Sequence, residues 1–221
     1  MTQRIVIVDY DAGNLRSVAR AVARVSGEEP SVSADPSAID AADAVILPGV
    51  GAAADTMLKL RERQLVEPLH DYIARGRPFL GVCMGLQALF DWSDEGGGQE
   101  CLGAVHGKVC HFPLNRGLKV PHMGWNTVEW LRPHPLTEGI PSGSAFYFVH
   151  SFYPDPVDSA VALGETEYGV TFPSVVAQGN VIATQFHPEK SSDNGLRLYG
   201  NFLDWARQGM PEAAVEAGGQ R

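Results

Sequence analysis

An apolar run, Phe79-Leu-Gly-Val82, passes through Cys83 directly into a stretch with helical spacing at residues 84–90, and Gly81 and Gly85 stand two positions to either side of the cysteine. A strand that turns at once into a helix brings two backbones too close for a Cβ, so such a turn needs glycine on both sides. The pattern predicts a strand, a sharp turn with Cys83 at its apex, and a helix. A wholly apolar strand feeding a helix belongs in a parallel sheet covered on both faces.

Other segments extend this unit. Arg4-Ile-Val-Ile-Val-Asp9 is a β-branched run, and after Gly13-Asn14 comes helical spacing at Leu15, Val18, Val22 and Val25; together they read as a strand, a capped start and a helix. Ala42-Asp-Ala-Val-Ile-Leu47 is another run, broken at Pro48-Gly-Val-Gly51. In the second half, residues 108–112, 145–150, 174–177 and 181–186 read as short strands between Gly, Pro and Asn turns, so part of the sheet there is expected to be antiparallel. Residues 194–208 have helical spacing, with Pro211 closing them. The expected fold is α/β: a mostly parallel open sheet with helices on both faces and an antiparallel portion in the C-terminal half. It forms one domain over residues 1–210, with a frayed tail at 211–221. Glu95-Gly-Gly-Gly98 reads as a flexible loop inside that domain.

The chain is 221 residues long with 44% hydrophobic and 19% charged residues, enough to bury a sizeable core. A formal net charge of −9 repels phosphate backbones, which argues against nucleic acid. No apolar stretch approaches the roughly 18 residues of a membrane span, and a cytoplasmic location is expected. The cysteines Cys83, Cys101 and Cys110 cannot all pair, which suits a reducing compartment and leaves a thiol for chemistry. Cys101, His106, Cys110 and His111 are spaced loosely like metal ligands, but Cys110 and His111 are adjacent in a strand pattern and would face opposite ways. No metal is expected.

Cys83 reads either as a buried core thiol or as a nucleophile at a helix N-terminus, where partial positive charge favours thiolate. A nucleophilic thiol needs a base, and His187 in Gln185-Phe-His-Pro-Glu189 is the candidate. In extended chain His187 and Glu189 share a face, so Glu189 can hold one imidazole nitrogen and leave the other for the thiol. Acyl transfer also needs oxyanion donors. The Met84 N–H is one; the Gly49-Val50-Gly51 loop is either the second or an ordinary glycine-rich turn. Gln87, one turn beyond Cys83, either binds the amino-acid end of a substrate or is solvated.

Gly81-Val-Cys-Met-Gly-Leu-Gln87 together with Gln185-Phe-His-Pro-Glu-Lys190 resembles the class I (triad) glutamine amidotransferases. These two motifs alone leave several members open, including the partners of anthranilate synthase and GMP synthetase. Asp9-Tyr-Asp-Ala-Gly-Asn-Leu15, Leu47-Pro-Gly-Val-Gly-Ala52, Pro121-His-Met-Gly-Trp-Asn126, Tyr147-Phe-Val-His-Ser151 and His187-Pro-Glu-Lys-Ser-Ser192 narrow the resemblance to the glutaminase subunits of imidazole glycerol phosphate synthase, over residues 4–208. The resemblance implies a catalytic triad of Cys83, His187 and Glu189. It implies oxyanion or substrate contacts at Gly49, Val50, Gly51, Met84, Gln87 and Ser151, and no cofactor. It also implies a (β/α)8-barrel cyclase partner that consumes the ammonia, with Asn14, Trp125, Tyr147 and Lys190 near the interface. The remaining readings are a freestanding hydrolase of γ-glutamyl compounds, an amidotransferase subunit of another synthase, and a catalytically silent scaffold on the same fold.

Overall fold

The computed structural model describes residues 3–113 and 117–209. Pro211 and the expected tail lie outside the described residues. Strands β1 (Ile5–Val8), β2 (Ser31–Ser33), β3 (Ala44–Gly49), β4 (Phe79–Cys83) and β13 (Val181–Thr184) form the parallel half of one sheet. Beyond β13 it continues antiparallel through β12 (Thr171–Gln178), β11 (Ala162–Glu167), β8 (His122–Trp130) and β9 (Ser144–His150). The nine-stranded order is β2-β1-β3-β4-β13-β12-β11-β8-β9. β1, β3, β4 and β13 are buried at every position, which accounts for their apolar runs without alternation. Two apolar clusters form the core. One packs α1 (Leu15–Ser26) and α6 (Ser192–Arg207), and the other packs α3 (Ala53–Glu62) and α4 (Val66–Ala74). The short α2 (Pro36–Ala41) is capped by Asp35, whose side chain accepts from the Ser37 N–H.

Three local expectations are corrected. The run from Ala42 does not break at Pro48: β3 continues through Pro48 and Gly49 and pairs Gly49 with Cys83. The helix after Cys83, α5, is a single turn, Met84–Gln87. Phe90 begins β5 (Phe90–Ser93), part of a second sheet with β6 (Gln99–Glu100), β7 (Val105–His111) and β10 (Phe152–Pro156) in the order β10-β7-β5-β6. Backbone pairing with β7 outweighs the weak helical spacing of residues 84–90. Finally, Glu95-Gly-Gly-Gly98 is a turn with all three glycines at positive φ, and Glu95 Oε2 accepts from the Ala53 N–H at 2.6 Å, holding the start of α3.

Candidate active site

At the end of β4 the chain reverses into α5, and Cys83 sits at the turn with φ 54° and ψ −105°. Such a backbone costs a side-chain-bearing residue energy and is held only because the surroundings over-determine it. The close approach behind it explains Gly85: a Cβ there would overlap the Leu47 carbonyl oxygen of β3. Cys83 and His187 line a cleft of about 400 Å³ together with Val50, Gly51, Met84, Gln87, His150 and Ser151. Gly49, at the end of β3, lies beside Cys83 in register. The structure thus gathers every residue expected to bind the substrate or its oxyanion around one thiol.

His187 arrives on the other side of β4, because β13 pairs with β4 in parallel, Thr184 opposite Val82. Its Nδ1 donates to Glu189 Oε1 at 2.8 Å, and both side chains are almost completely shielded from solvent. His187 Nε2 is buried without a hydrogen-bond partner. Burial lowers the affinity of this ring for a proton, but the nearby Cys83 sulfur and the Glu189 carboxylate outweigh it and raise the pKa to about 10. The sulfur and the carboxylate thus favour the protonated ring. The arrangement can deliver a proton to a leaving group while the sulfur attacks.

Sequence patterns missed the support around these groups. Asn14 stands at the start of α1, where a cap is expected, but its side chain makes no cap bond; Asn14 Nδ2 donates to Glu189 Oε1. Tyr199 of α6 donates to Glu189 Oε2 at 3.3 Å. A carboxylate taken out of water needs donors on both oxygens, and here His187, Asn14 and Tyr199 supply them. Gln87 is neither solvated nor free: it is buried, and its Nε2 donates to Phe152 O at 3.0 Å and to Gln185 Oε1 at 3.1 Å. Gln185 Nε2 in turn faces Cys83 Sγ at 3.8 Å. Glu95 lines the same cleft and brings a carboxylate to its mouth.

A neutral histidine chain backs the cleft. His150 Nδ1 donates to Phe152 O at 2.8 Å, since a carbonyl only accepts; His150 Nε2 must then accept from His122 Nδ1 at 3.0 Å, and His122 Nε2 from Asn126 Nδ2 at 3.2 Å. Burial lowers the pKa of His150 to about 3 and that of His122 to about 4. The unfolded chain takes up these protons below about pH 6.5 and the folded chain does not. Their contribution to stability is therefore complete above pH 6.5 and is lost as the pH falls toward 4. As the pH falls below 6.5, where His187 is protonated in folded and unfolded chain alike, urea midpoints should drop, with His150 alone accounting for about 2 kcal/mol by pH 5. His150→Gln should flatten that slope; an unchanged slope would count against a neutral buried His150.

A thiol at a strand–helix elbow, facing a buried imidazole that a carboxylate orients, is the constellation of a triad cysteine hydrolase. The chain belongs to the class-I glutamine amidotransferase family, whose match spans residues 6–204. It is 50% identical over 202 residues to the imidazole glycerol phosphate synthase subunit HisH of Dehalococcoides mccartyi (strain CBDB1), covering 91% of this chain and 97% of that one. It is also 50% identical over 198 residues to the subunit of the same description from Rhodopirellula baltica, covering 90% and 96%. Among solved structures, one described as PurLQS from Thermotoga maritima superposes with a TM-score of 0.72 at 20% identity, covering 93% of this chain and 99% of that chain, which supports the fold.

Proposed function

We propose that this chain is the glutaminase subunit of an imidazole glycerol phosphate synthase, hydrolysing glutamine and passing the ammonia to a (β/α)8-barrel cyclase in histidine biosynthesis. The observation that carries the proposal is the convergence of Cys83 and His187 in one cleft, with Glu189 held behind it on His187 Nδ1, in a chain half identical over nine-tenths of its length to subunits of that synthase. Cys83 Sγ attacks the carboxamide carbon of glutamine, forming a C–S bond while the carbonyl electron pair moves onto oxygen. The N–H groups of Met84 and Val50 hold that oxyanion. Imidazolium His187 protonates the nitrogen, the C–N bond breaks and ammonia leaves. Water, deprotonated by His187, then cleaves the glutamyl thioester to glutamate. Glu95, at the cleft mouth, meets the α-ammonium group of the substrate. The ring-forming lyase step belongs to the partner.

Free ammonia is captured by protons in bulk water, so the exit side of the cleft needs a cover. Beside the triad the surface exposes Met123 (59%) and Trp125 (55%). Trp125 packs edge-on to Tyr147 at 6.2 Å, and Lys190 Nζ lies 5.8 Å from the Tyr147 ring. A contiguous aromatic patch beside a catalytic cleft fits a partner surface. The patch is wired to the triad: the Tyr147 carbonyl accepts from the His187 N–H at 2.9 Å, and Ser191 Oγ accepts from the Tyr147 N–H at 3.0 Å. Among the described residues no helix is long and apolar enough to cross a membrane, which is compatible with assembly in the cytoplasm.

The chain should co-purify with a barrel cyclase as a one-to-one complex, and failure to associate at micromolar concentrations would overturn the reading. Lys190→Ala should weaken this complex about tenfold, or uncouple glutamine-dependent synthesis to a similar degree, with no loss of thermal stability. Wild-type binding together with wild-type synthesis in the variant would remove Lys190 from the interface.

A further inference from the structure

Cys83 Sγ has one polar neighbour that the chemistry above leaves idle. Gln185 Nε2 lies 3.8 Å from it, across 102 positions of chain. Gln185 is fully buried and stands behind the residues that line the cleft, so it reaches the sulfur from inside the core. A primary amide hidden from water is costly unless its groups are paired, and an apolar side chain would fill the same space at less cost.

The direction of this amide is forced. The Phe152 carbonyl can only accept, so the end of Gln87 that meets it at 3.0 Å is the nitrogen. The same nitrogen lies 3.1 Å from the Gln185 side chain, and a donor there requires the Gln185 oxygen opposite it. The Gln185 nitrogen is left facing the sulfur. His150 Nδ1 donates to the same Phe152 carbonyl at 2.8 Å, which occupies its second lone pair. The backbone is pinned as well: the Gln185 N–H donates to the Ser174 carbonyl at 2.8 Å, one residue beyond the pairing of Thr184 with Val82.

The sulfur carries charge twice in the reaction. When the proton sits on His187, Cys83 is a thiolate, and its electron pair forms the bond to the carboxamide carbon. When water cleaves the thioester, the C–S bond breaks and the pair returns to sulfur, while the proton taken from water stays on His187. Cys83 is only 6% exposed, so little water can solvate that charge and protein donors must do so. His187 gives up and regains its proton during the reaction. An amide N–H keeps its proton at every step.

We propose that Gln185 is a further catalytic residue: its side-chain N–H holds Cys83 Sγ whenever the sulfur is a thiolate, before it attacks the carboxamide and again as it leaves the thioester. This rests on the glutaminase reading. Gln87 and the Phe152 carbonyl act through Gln185 by fixing which way its amide points.

The test uses the complex with the barrel cyclase and its nucleotide ligand, and compares two variants. Gln185→Glu keeps the shape and the oxygen that accepts from Gln87 but replaces the donor facing the sulfur with an acceptor; Gln185→Met removes both. Loss of a hydrogen bond to a charged atom should lower kcat for glutamine hydrolysis about tenfold in Gln185→Met, and about a hundredfold in Gln185→Glu, where a carboxylate would face the thiolate. KM should stay within about twofold in Gln185→Glu, because Gln87 keeps its anchor. Iodoacetamide is uncharged and alkylates Cys83 through its thiolate, so the rate read by mass at the Cys83 peptide should fall in both variants by about the same factor as kcat. Wild-type kcat and alkylation in Gln185→Glu would overturn the proposal, and so would a raised KM confined to Gln185→Met, the mark of a residue that only anchors Gln87. A lowered Tm with ammonia-dependent synthesis lost in both variants would mark a merely structural role and overturn it too. If the wild-type complex released no glutamate while the alkylation rates still fell as stated, the glutaminase reading would fail and the contact of Gln185 with the thiolate would stand.

Discussion

Replacing Cys83 with alanine is expected to abolish glutamine-dependent synthesis while leaving the complex able to use ammonia supplied directly. The expected loss in glutamine hydrolysis is about 10⁴-fold or more, since removing the nucleophile of a triad removes the covalent route and leaves only binding and the oxyanion hole. The structure gives a reason to expect a clean effect. Cys83 is held by backbone, with its φ of 54° fixed between β4 and α5, and an alanine methyl fits where the cysteine Cβ already lies. Folding and partner binding should therefore survive, and the ammonia-dependent rate is the internal control. Glutamate release by the variant at more than a few per cent of the wild-type rate would remove Cys83 from its assigned role. Loss of the ammonia-dependent reaction as well would mean that assembly, and not chemistry, had been damaged.

The second large effect concerns the chain on its own. It should hydrolyse glutamine slowly alone, faster with the cyclase, and about a hundred- to a thousandfold faster when the cyclase also holds its nucleotide ligand. That factor corresponds to one oxyanion donor, about 2.7 to 4 kcal/mol. The Gly49–Val50 peptide is the part able to supply it, because Gly49 accepts backbone conformations that other residues resist and Val50 is 38% exposed at the rim of the cleft. A subunit with no acceptor for ammonia wastes glutamine if it runs freely. A partner ligand that favours the N–H-inward state therefore couples hydrolysis to demand. The route available is short: the exposed patch at Trp125 and Tyr147 is one backbone hydrogen bond from His187. Measuring glutamate release under the three conditions tests the coupling. Equal rates would favour a freestanding hydrolase of γ-glutamyl compounds.

The elbow, the buried parallel strands and the His-x-Glu spacing were all legible in the sequence, because each is a local demand. A strand buried on both faces must be apolar at every position, and a tight strand-to-helix turn must have glycine; the histidine–glutamate pair meets across a 3₁₀ turn at Pro188–Lys190, not along the extended chain that its spacing suggested. Where the local pattern misled, a distant partner had the stronger claim. Asn14 stands where a helix cap would, yet the first N–H groups of an exposed helix can be satisfied by water, whereas the shielded Glu189 carboxylate, 175 positions away, cannot. Phe90 follows a helical spacing, yet pairing with β7 drew it into a second sheet. Gln87 looked free for substrate or solvent until burial obliged its amide to find partners at Phe152 and Gln185.

The amino-acid sequence by itself singled out the residues proposed to carry the chemistry, because a thiol elbow and a histidine–glutamate pair can each be recognised over a few positions. Only the tertiary structure decided that they form one site. β13 returns after the whole antiparallel half of the chain to pair with β4, and that pairing sets Gln185 against Cys83 across 102 positions and leaves the imidazole with one nitrogen held and the other waiting. The proton affinity of that ring and the donors on Glu189 depend on distances between segments far apart in the chain. Those distances are set by strand order and burial, which no local run of residues encodes.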